Sequence, residues 1–503
     1  MEALMIFNRE LLHDRTVTKV EILTLIRDQP NSWTQSALAQ EFNCSRKLIN
    51  TYLTEINQLA QTWLDQTLIQ RHSTLHQLVI AGPHQHLNSL LIRAHLLAAD
   101  SNVQLLLLLM QSTKLTTLEI CHQLYISESC LHKKMALLRN HLAPYALSIK
   151  KRTGHYRLSG NAFQLMAYFL EFFRTGFNYQ IWPFTNSSQT VVTASLRFFF
   201  EGEKIHLTKT QLTHYSFLVG LLRCQPMHIK ETTERALSAE NKTVNQQLLN
   251  CFKPSRLTLL VAQLNLSPTD LNLFLCYSQT RDDFYLIKQF NHVALNQHQI
   301  VDSDEHQLID LFKAQILPLF TIQGLTADTQ ALPSLLAINY AFILAKRFQV
   351  AFPLLTKHHV QSPVATSNPI QQISQTIHTF IHFEKNRPTH LLMEQLATRY
   401  HELLTHFFKL EKPTPCFKVS LFGYDSHHDY HVVQALIEQR FKSLFSFTFV
   451  ANPHREQPSD LLFFNPHHGP PANHHSPIPV TSQVTFQDCQ RIHDALVQLP
   501  QGH

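Results

Sequence analysis

Glycine is scarce in this chain, with 10 residues in 503. That shortage excludes the glycine-rich cradles that hold nucleotide phosphates. It also argues against a turn-dense all-β fold and for helices joined by polar or proline turns. Long apolar runs are missing as well. No purely apolar stretch is longer than Leu105–Met110, far short of the ~20 residues that a membrane-spanning helix needs. No basic segment precedes an apolar one at the start of the sequence, so no signal peptide and no membrane partner are expected. The eight cysteines form no CxxC pair and several occupy apolar helical positions. They read as free thiols in a reducing cytoplasm. GxSxG, HExxH and P-loop signatures are absent, and His401-Glu402 and His427-His428-Asp429 have no supporting motif around them. Neither enzymatic activity nor a cofactor is expected.

What is present is duplication. The segment from Thr34 through Ser45 to Leu53 and the segment from Thr116 through Ser127 to Met135 share one pattern, displaced by 82 residues (127 − 45). Leu38 aligns with Ile120, Ala39 with Cys121, Phe42 with Leu124, Cys44 with Ile126, Ile49 with Leu131 and Leu53 with Met135. A helix-turn-helix needs this set: a small residue where the helices approach, apolar residues on both sides of the turn, and a serine to cap the second helix. Each copy is followed by a candidate wing. The first runs over Thr67–His72 and Leu75–Ile80. The second runs over Leu147–Arg152 and His155–Leu158 around the turn Thr153-Gly154. Residues 1–160 hold 16 Lys+Arg and 11 Asp+Glu, a net of +5, whereas the remainder holds 26 and 25. The basic excess thus lies with the duplicated motif, as a phosphate-contacting module requires.

On the first candidate recognition helix, capped by Ser45, the residues Arg46, Lys47, Asn50 and Thr51 lie opposite Leu48, Ile49 and Leu53. Arginine bonds guanine bidentately and asparagine reads adenine. The alternative reading is a merely solvated polar face. On the second helix the equivalents are Glu128, Ser129, His132 and Lys133, a less basic set. Lys150, Lys151 and Arg152 at the second wing are placed to straddle phosphates, or else form a solvated basic turn.

At 503 residues the chain calls for roughly three to five domains. Residues 1–82 and 83–161 form the two winged units. From Ala162 to about Lys409 apolar residues recur at three and four, as in Phe169, Phe172 and Phe173. Prolines cut that stretch into helices, which divide into two all-helical domains over 162–290 and 291–411. The tail, 412–503, alternates strand Cys416–Gly423, helix Tyr430–Lys442, strands Phe445–Val450, Leu461–Asn465 and Ile478–Val480, and a last helix from Gln487. That alternation predicts a small open α/β sheet. The fold class is mainly α and multidomain. The pairs His467-His468 and His474-His475 offer imidazoles, but no cysteine or carboxylate completes a zinc set, and no metal is expected.

In that order of parts, and in the piece from Leu147-Ser-Ile-Lys to Leu158-Ser-Gly-Asn-Ala-Phe-Gln, the chain resembles the Mga/AtxA-type regulators. These are transcription factors of Gram-positive bacteria that carry phosphotransferase-system regulation domains. The resemblance covers essentially the whole chain. It implies promoter DNA as a partner, helical domains that take phosphate on histidine from the phosphocarrier of the sugar phosphotransferase system, an enzyme-IIB-like tail, and a homodimer joined through the tail and the helical domains. His206 and His214 are the candidate phosphoacceptors, ahead of His292, His358, His378 and His382. The departures are specific. Near His214-Tyr-Ser-Phe217 the arginine is displaced to Arg223. Tyr277 and Asn339 stand where histidines are typical, and the loop Gly423–Ser426 carries no cysteine, so the tail reads as a binding module. An RNA-binding antiterminator with the same helical domains begins with a small β-rich domain, unlike this chain. A mannitol-operon-type activator adds a IIA-like module for which 503 residues leave no room.

Overall fold

In the computed structural model the described residues are 11–29, 31–72, 76–81, 85–112, 114–285, 287–316, 331–351, 373–377, 390–407, 416–422, 427–441, 446–449, 461–464 and 477–480, with 484, 488–489, 491–492 and 495–496. The architecture is mainly helical, with three small sheets among the described residues. Contacts divide the chain into two units, Met1–Phe408 and Lys409–His503.

The first unit opens with α1 (Asp14–Asp28), α2 (Gln35–Glu41) and α3 (Arg46–Leu64), then the short strands β1 (Ile69–Arg71) and β2 (Leu78–Ile80). Helix α3 forms because Ile49, Tyr52, Leu53, Ile56 and Ala60 recur at helical spacing and all are buried. The Ser45 hydroxyl starts it by accepting the Leu48 amide at 3.2 Å. β1 and β2 pair antiparallel, Gln70 opposite Val79, and Thr34 bridges to Gln77.

Next come α4 (Gln85–Ala98) and α5 (Ser101–Gln111), set at 78° to each other. The apolar run that marks a helix in the sequence here, Leu105–Met110, belongs to α5. α4 is the addition, and Asp100 makes the break by capping α5 through the Asn102 amide at 2.9 Å. No single described helix is long and apolar enough to cross a membrane. β3 (Leu115–Thr116), α6 (Thr117–Leu124), α7 (Glu128–Leu142), β4 (Ser148–Arg152) and β5 (His155–Ser159) complete a second copy. Its sheet runs β3-β5-β4, antiparallel throughout.

The two copies agree at backbone level. Thr34 and Thr116 cap α2 and α6, and Ser45 and Ser127 cap α3 and α7. Asn43 and Tyr125 occupy the same turn position and both are left-handed, at φ 47° and 52°.

Helices α8 (Ala162–Thr175), α9 (Gln189–Gly202), α10 (Lys209–Cys224), α11 (Met227–Arg235), α12 (Ala239–Asn250), α13 (Pro254–Leu264) and α14 (Pro268–Ser278) follow, then α15 (Asp282–Tyr285), α16 (Lys288–Ile300), α17 (Asp304–Leu311) and α18 (Ala331–Phe348). α8 and α10 are buried almost all round, with Phe163, Phe169, Phe172, Phe173 and Phe217 fully inside. Lys230 and Asp270 form a buried ion pair at 2.6 Å. Across the break expected near residue 290, Asn241 donates to Glu305 at 3.1 Å, and the Asn161 amide reaches the Phe348 carbonyl at 2.8 Å.

In the second unit, β6 (Cys416–Phe422), β7 (Ser446–Phe449), β8 (Leu461–Phe464) and β9 (Ile478–Pro479) form a wholly parallel sheet in the order β7-β6-β8-β9. Helix His427–Phe441 contributes Val433, Ile437 and Phe441 to its core, beside Val419, Phe463 and Val480.

Candidate nucleic-acid interface

Arg46, Lys47, Asn50 and Thr51 are all exposed on the first two turns of α3, while Ile49 and Leu53 face inward. Leu48, expected on the apolar side, is instead 39% exposed; it sits one residue ahead of Ile49, which turns it away from the packed stripe. The Asn50 carbonyl oxygen accepts from the Gln35 amide at 3.0 Å. That bond steadies a side chain able to pair with an adenine edge. Gln35 was not among the residues singled out from the sequence. Its signal was its place directly after the cap Thr34, at the start of the leading helix. Thr51 donates to the Lys47 carbonyl at 3.0 Å.

On α7, Ser129, His132 and Lys133 are exposed, as is Glu128. The Ser127 hydroxyl accepts the Cys130 amide at 3.3 Å and lies 3.0 Å from the Ser129 hydroxyl. The next residue differs from all of these. Lys134 is buried and its ammonium donates to the Ser101 hydroxyl at 2.7 Å and to Asn102 at 2.8 Å, 3.3 Å from the His13 ring. His13 also reaches buried Asp100, donating from its backbone amide at 3.0 Å and lying 3.1 Å away through its ring. Hydrogen bonding from His13, Asn102 and Thr16 holds the Asp100 carboxyl below the usual range, although burial pushes it the other way. This clasp ties the start of α1 to α5 and α7, and so joins the two copies.

At the second hairpin Lys150, Lys151 and Arg152 are exposed. Thr153 and Gly154 take φ 50° and 80°, the doubly left-handed turn that matches the twist of a two-residue hairpin. Lys151 lies over the Tyr156 ring at 4.9 Å, and Arg157 stands opposite Lys150 in the register. One short hairpin therefore carries four cations.

α4 is bound into this region by Arg93. Its guanidinium is buried and donates to the carbonyls of Thr175 and Gly176 at the end of α8, where helix carbonyls lack partners. Burial pushes Arg93 down to about 10.

Residues 85–173 match the Mga helix-turn-helix domain. The match begins at the first residue of α4 and ends inside α8. It therefore takes in α4, the whole second copy and most of the helix that Arg93 caps. A helix-turn-helix of the Mga kind points to a DNA-binding transcription regulator. No curated protein matches the chain.

The candidate phosphoacceptors lie apart. His206 is exposed between α9 and α10. His214 is buried in α10, with its Nδ1 2.8 Å from the Tyr179 hydroxyl and its ring stacked against Tyr277 at 6.1 Å. The ion pair of Arg281 with Asp283, at 2.8 Å, lies near these tyrosines. Burial raises both Tyr179 and Tyr277 well above the ordinary tyrosine range, against the opposing pull of Arg281. His292 is exposed on α16. Nothing local in the sequence distinguishes His298. It is fully buried, 2.8 Å from the Ser303 hydroxyl and 3.7 Å from Glu305, and burial pushes it down.

His358, His378 and His382 lie outside the described residues. So do the loop Gly423–Ser426 and the pairs His467-His468 and His474-His475. Among the described residues no group of histidine, cysteine, aspartate or glutamate is arranged to hold a metal.

Proposed function

We propose that this chain is a transcription regulator that docks both helix-turn-helix copies on duplex promoter DNA. On this reading α3 reads bases, while α7 and the basic hairpin clamp the backbone. The observation that carries the proposal is the duplication in three dimensions. Serine-capped helices starting at Arg46 and Glu128 each leave their first two turns exposed and polar behind a packed partner helix. Arg46 and Lys47 supply charge where major-groove readers carry it, and Asn50 is held by Gln35 in reach of a base edge. Gel shift tests it directly. Arg46→Ala and Lys47→Ala should each weaken operator binding by about tenfold, since one good base or phosphate contact is worth ~1–3 kcal/mol. Unchanged affinity at physiological salt removes α3 as the reader.

The finer reading is that the helical domains couple histidine phosphorylation by the sugar phosphotransferase phosphocarrier to self-association and DNA binding. The regulator is then a cytoplasmic homodimer and an activator, with the α/β tail as an enzyme-IIB-like binding module. Of the two candidate phosphoacceptors His206 is exposed and open to the phosphocarrier, whereas His214 is buried beside Tyr179 and Tyr277 and would need local opening to take phosphate. The parallel order of the tail sheet supports the enzyme-IIB-like reading. The test is incubation of the full chain with phosphoenolpyruvate, enzyme I and the phosphocarrier. Acid-labile label in residues 162–411 is expected, and a chain that takes no label counts against this coupling.

A further inference from the structure

A cavity of about 310 Å³ lies where the second hairpin meets the helical region. Its walls come from α5 and Ser112 and Lys114 after it, from β5, α8 and α10, and from the start of α11 with the turn leading into it. That volume falls in the range where small-molecule sites begin and is roughly tenfold the share of one water. The contrast with the cavity among Phe199, Phe252 and Phe290 is informative. The latter is about 30 Å³, a tenth of that volume, and lined by apolar side chains apart from Tyr215.

The larger cavity has a divided lining. Leu109, Leu158, Phe169 and Leu221 make an apolar wall. Lys114, Arg157 and His228 supply positive or protonatable groups, and no carboxylate lines it. Among the described residues neither Lys114 nor Arg157 enters an ion pair. Gln225 adds an independent observation. It lines the cavity and is 7% exposed, and both polar atoms of its side-chain amide are buried with no hydrogen-bond partner among the described residues. A buried amide left unpaired on both atoms costs a few kcal/mol. An acceptor oxygen on a guest, met by a turn of the Gln225 side chain, relieves the part of that cost carried by its N–H donors.

We propose that this cavity binds a small organic anion: one carboxylate or phosphate held by Lys114, Arg157 and His228, on an apolar body packed against the leucines and Phe169. Arg157 belongs to the hairpin strand β5, opposite Lys150, so an occupied cavity braces that hairpin against α10 and α11. The guest binds whether or not the hairpin meets DNA; only its influence on DNA affinity rests on the DNA-binding reading.

Calorimetric titration of the full chain with 1-naphthyl phosphate and with 1-naphthoate tests the site and separates the two head groups. At least one of them should bind saturably at one site per chain. Arg157→Gln should weaken that binding about tenfold, the worth of one charged hydrogen bond. Ser112→Trp should abolish it by filling the cavity from a half-buried wall position. Circular dichroism of both variants should match the parent. Absence of binding by both anions at millimolar concentration overturns the proposal, and so does binding that both folded variants leave unchanged. DNA affinity measured without anion reports separately on the DNA-binding reading.

Discussion

At the scale of single residues, two side chains occupy states that cost the fold energy and so yield sharp predictions. Tyr125 is left-handed at φ 52° and 91% exposed. A bulky residue there is strained by roughly 1 kcal/mol, with the His122 ring at 6.4 Å as its aromatic neighbour, whereas Asn43 at the matching turn tolerates the same backbone. Tyr125→Gly should therefore raise the urea midpoint, by about 0.5–1 kcal/mol of stability; a loss of stability would show that the ring is anchored. His141 is buried against the Tyr168 hydroxyl at 2.8 Å, and burial pushes it down to about 4. The folded state thus holds the neutral ring, while the unfolded chain takes up a proton near pH 6.5. The stabilisation is complete above pH 6.5 and is lost as pH falls toward 4, on the order of 3 kcal/mol in all. His298, also pushed down by burial, acts in the same direction. Urea unfolding at pH 7.5 and pH 5.0 should show the lower stability at pH 5.0, with a smaller difference in His141→Gln. Equal midpoints at the two pH values would refute this assignment.

At the scale of elements, the clasp of His13, Asp100, Asn102 and Lys134 decides whether the two copies move as one body. Lys134→Met leaves the Ser101 hydroxyl and the Asn102 carbonyl without their buried donor and should cost about 2–4 kcal/mol. Hydrogen exchange should rise first in α1 and α5, and unaltered exchange there would mean that the copies are joined elsewhere. The hairpin makes a different prediction. Replacing Lys150, Lys151 and Arg152 together by glutamine should lower the dependence of log affinity on log salt by about 3 if each meets a phosphate. An unchanged slope would leave the hairpin as solvated charge. These elements also show what a sequence can disclose. The caps Ser45 and Ser127 were legible because a cap is a local event, set by one hydroxyl three residues before an amide; Thr34 and Thr116, which cap the leading helices, carry the same signal at the start of each repeat. The packed face of α3 was legible through its period. α4 was not, because Gly82-Pro83 and a polar first turn hide its start. The clasp was not either: its partners lie 87 and 121 residues apart, and no local pattern marks a lysine that will be buried.

At the scale of the molecule, Met1–Phe408 holds both helix-turn-helix copies, the cavity beside the second hairpin, His206 and His214 in one compact unit, and Lys409–His503 is a second with its own parallel sheet. The exposure of Arg46, Lys47, Asn50, His132 and Lys133 followed from the period of their helices. The partners that orient them, Gln35 above all, emerged only from packing. Selection of bound duplexes from a random pool measures the central claim most directly, with the parent chain compared against Arg46→Ala/Lys47→Ala and His132→Ala/Lys133→Ala. The parent should select one defined sequence, the first variant should lose that preference, and the second should keep it with weaker binding. If all three select the same sequence with the same affinity, neither helix reads DNA.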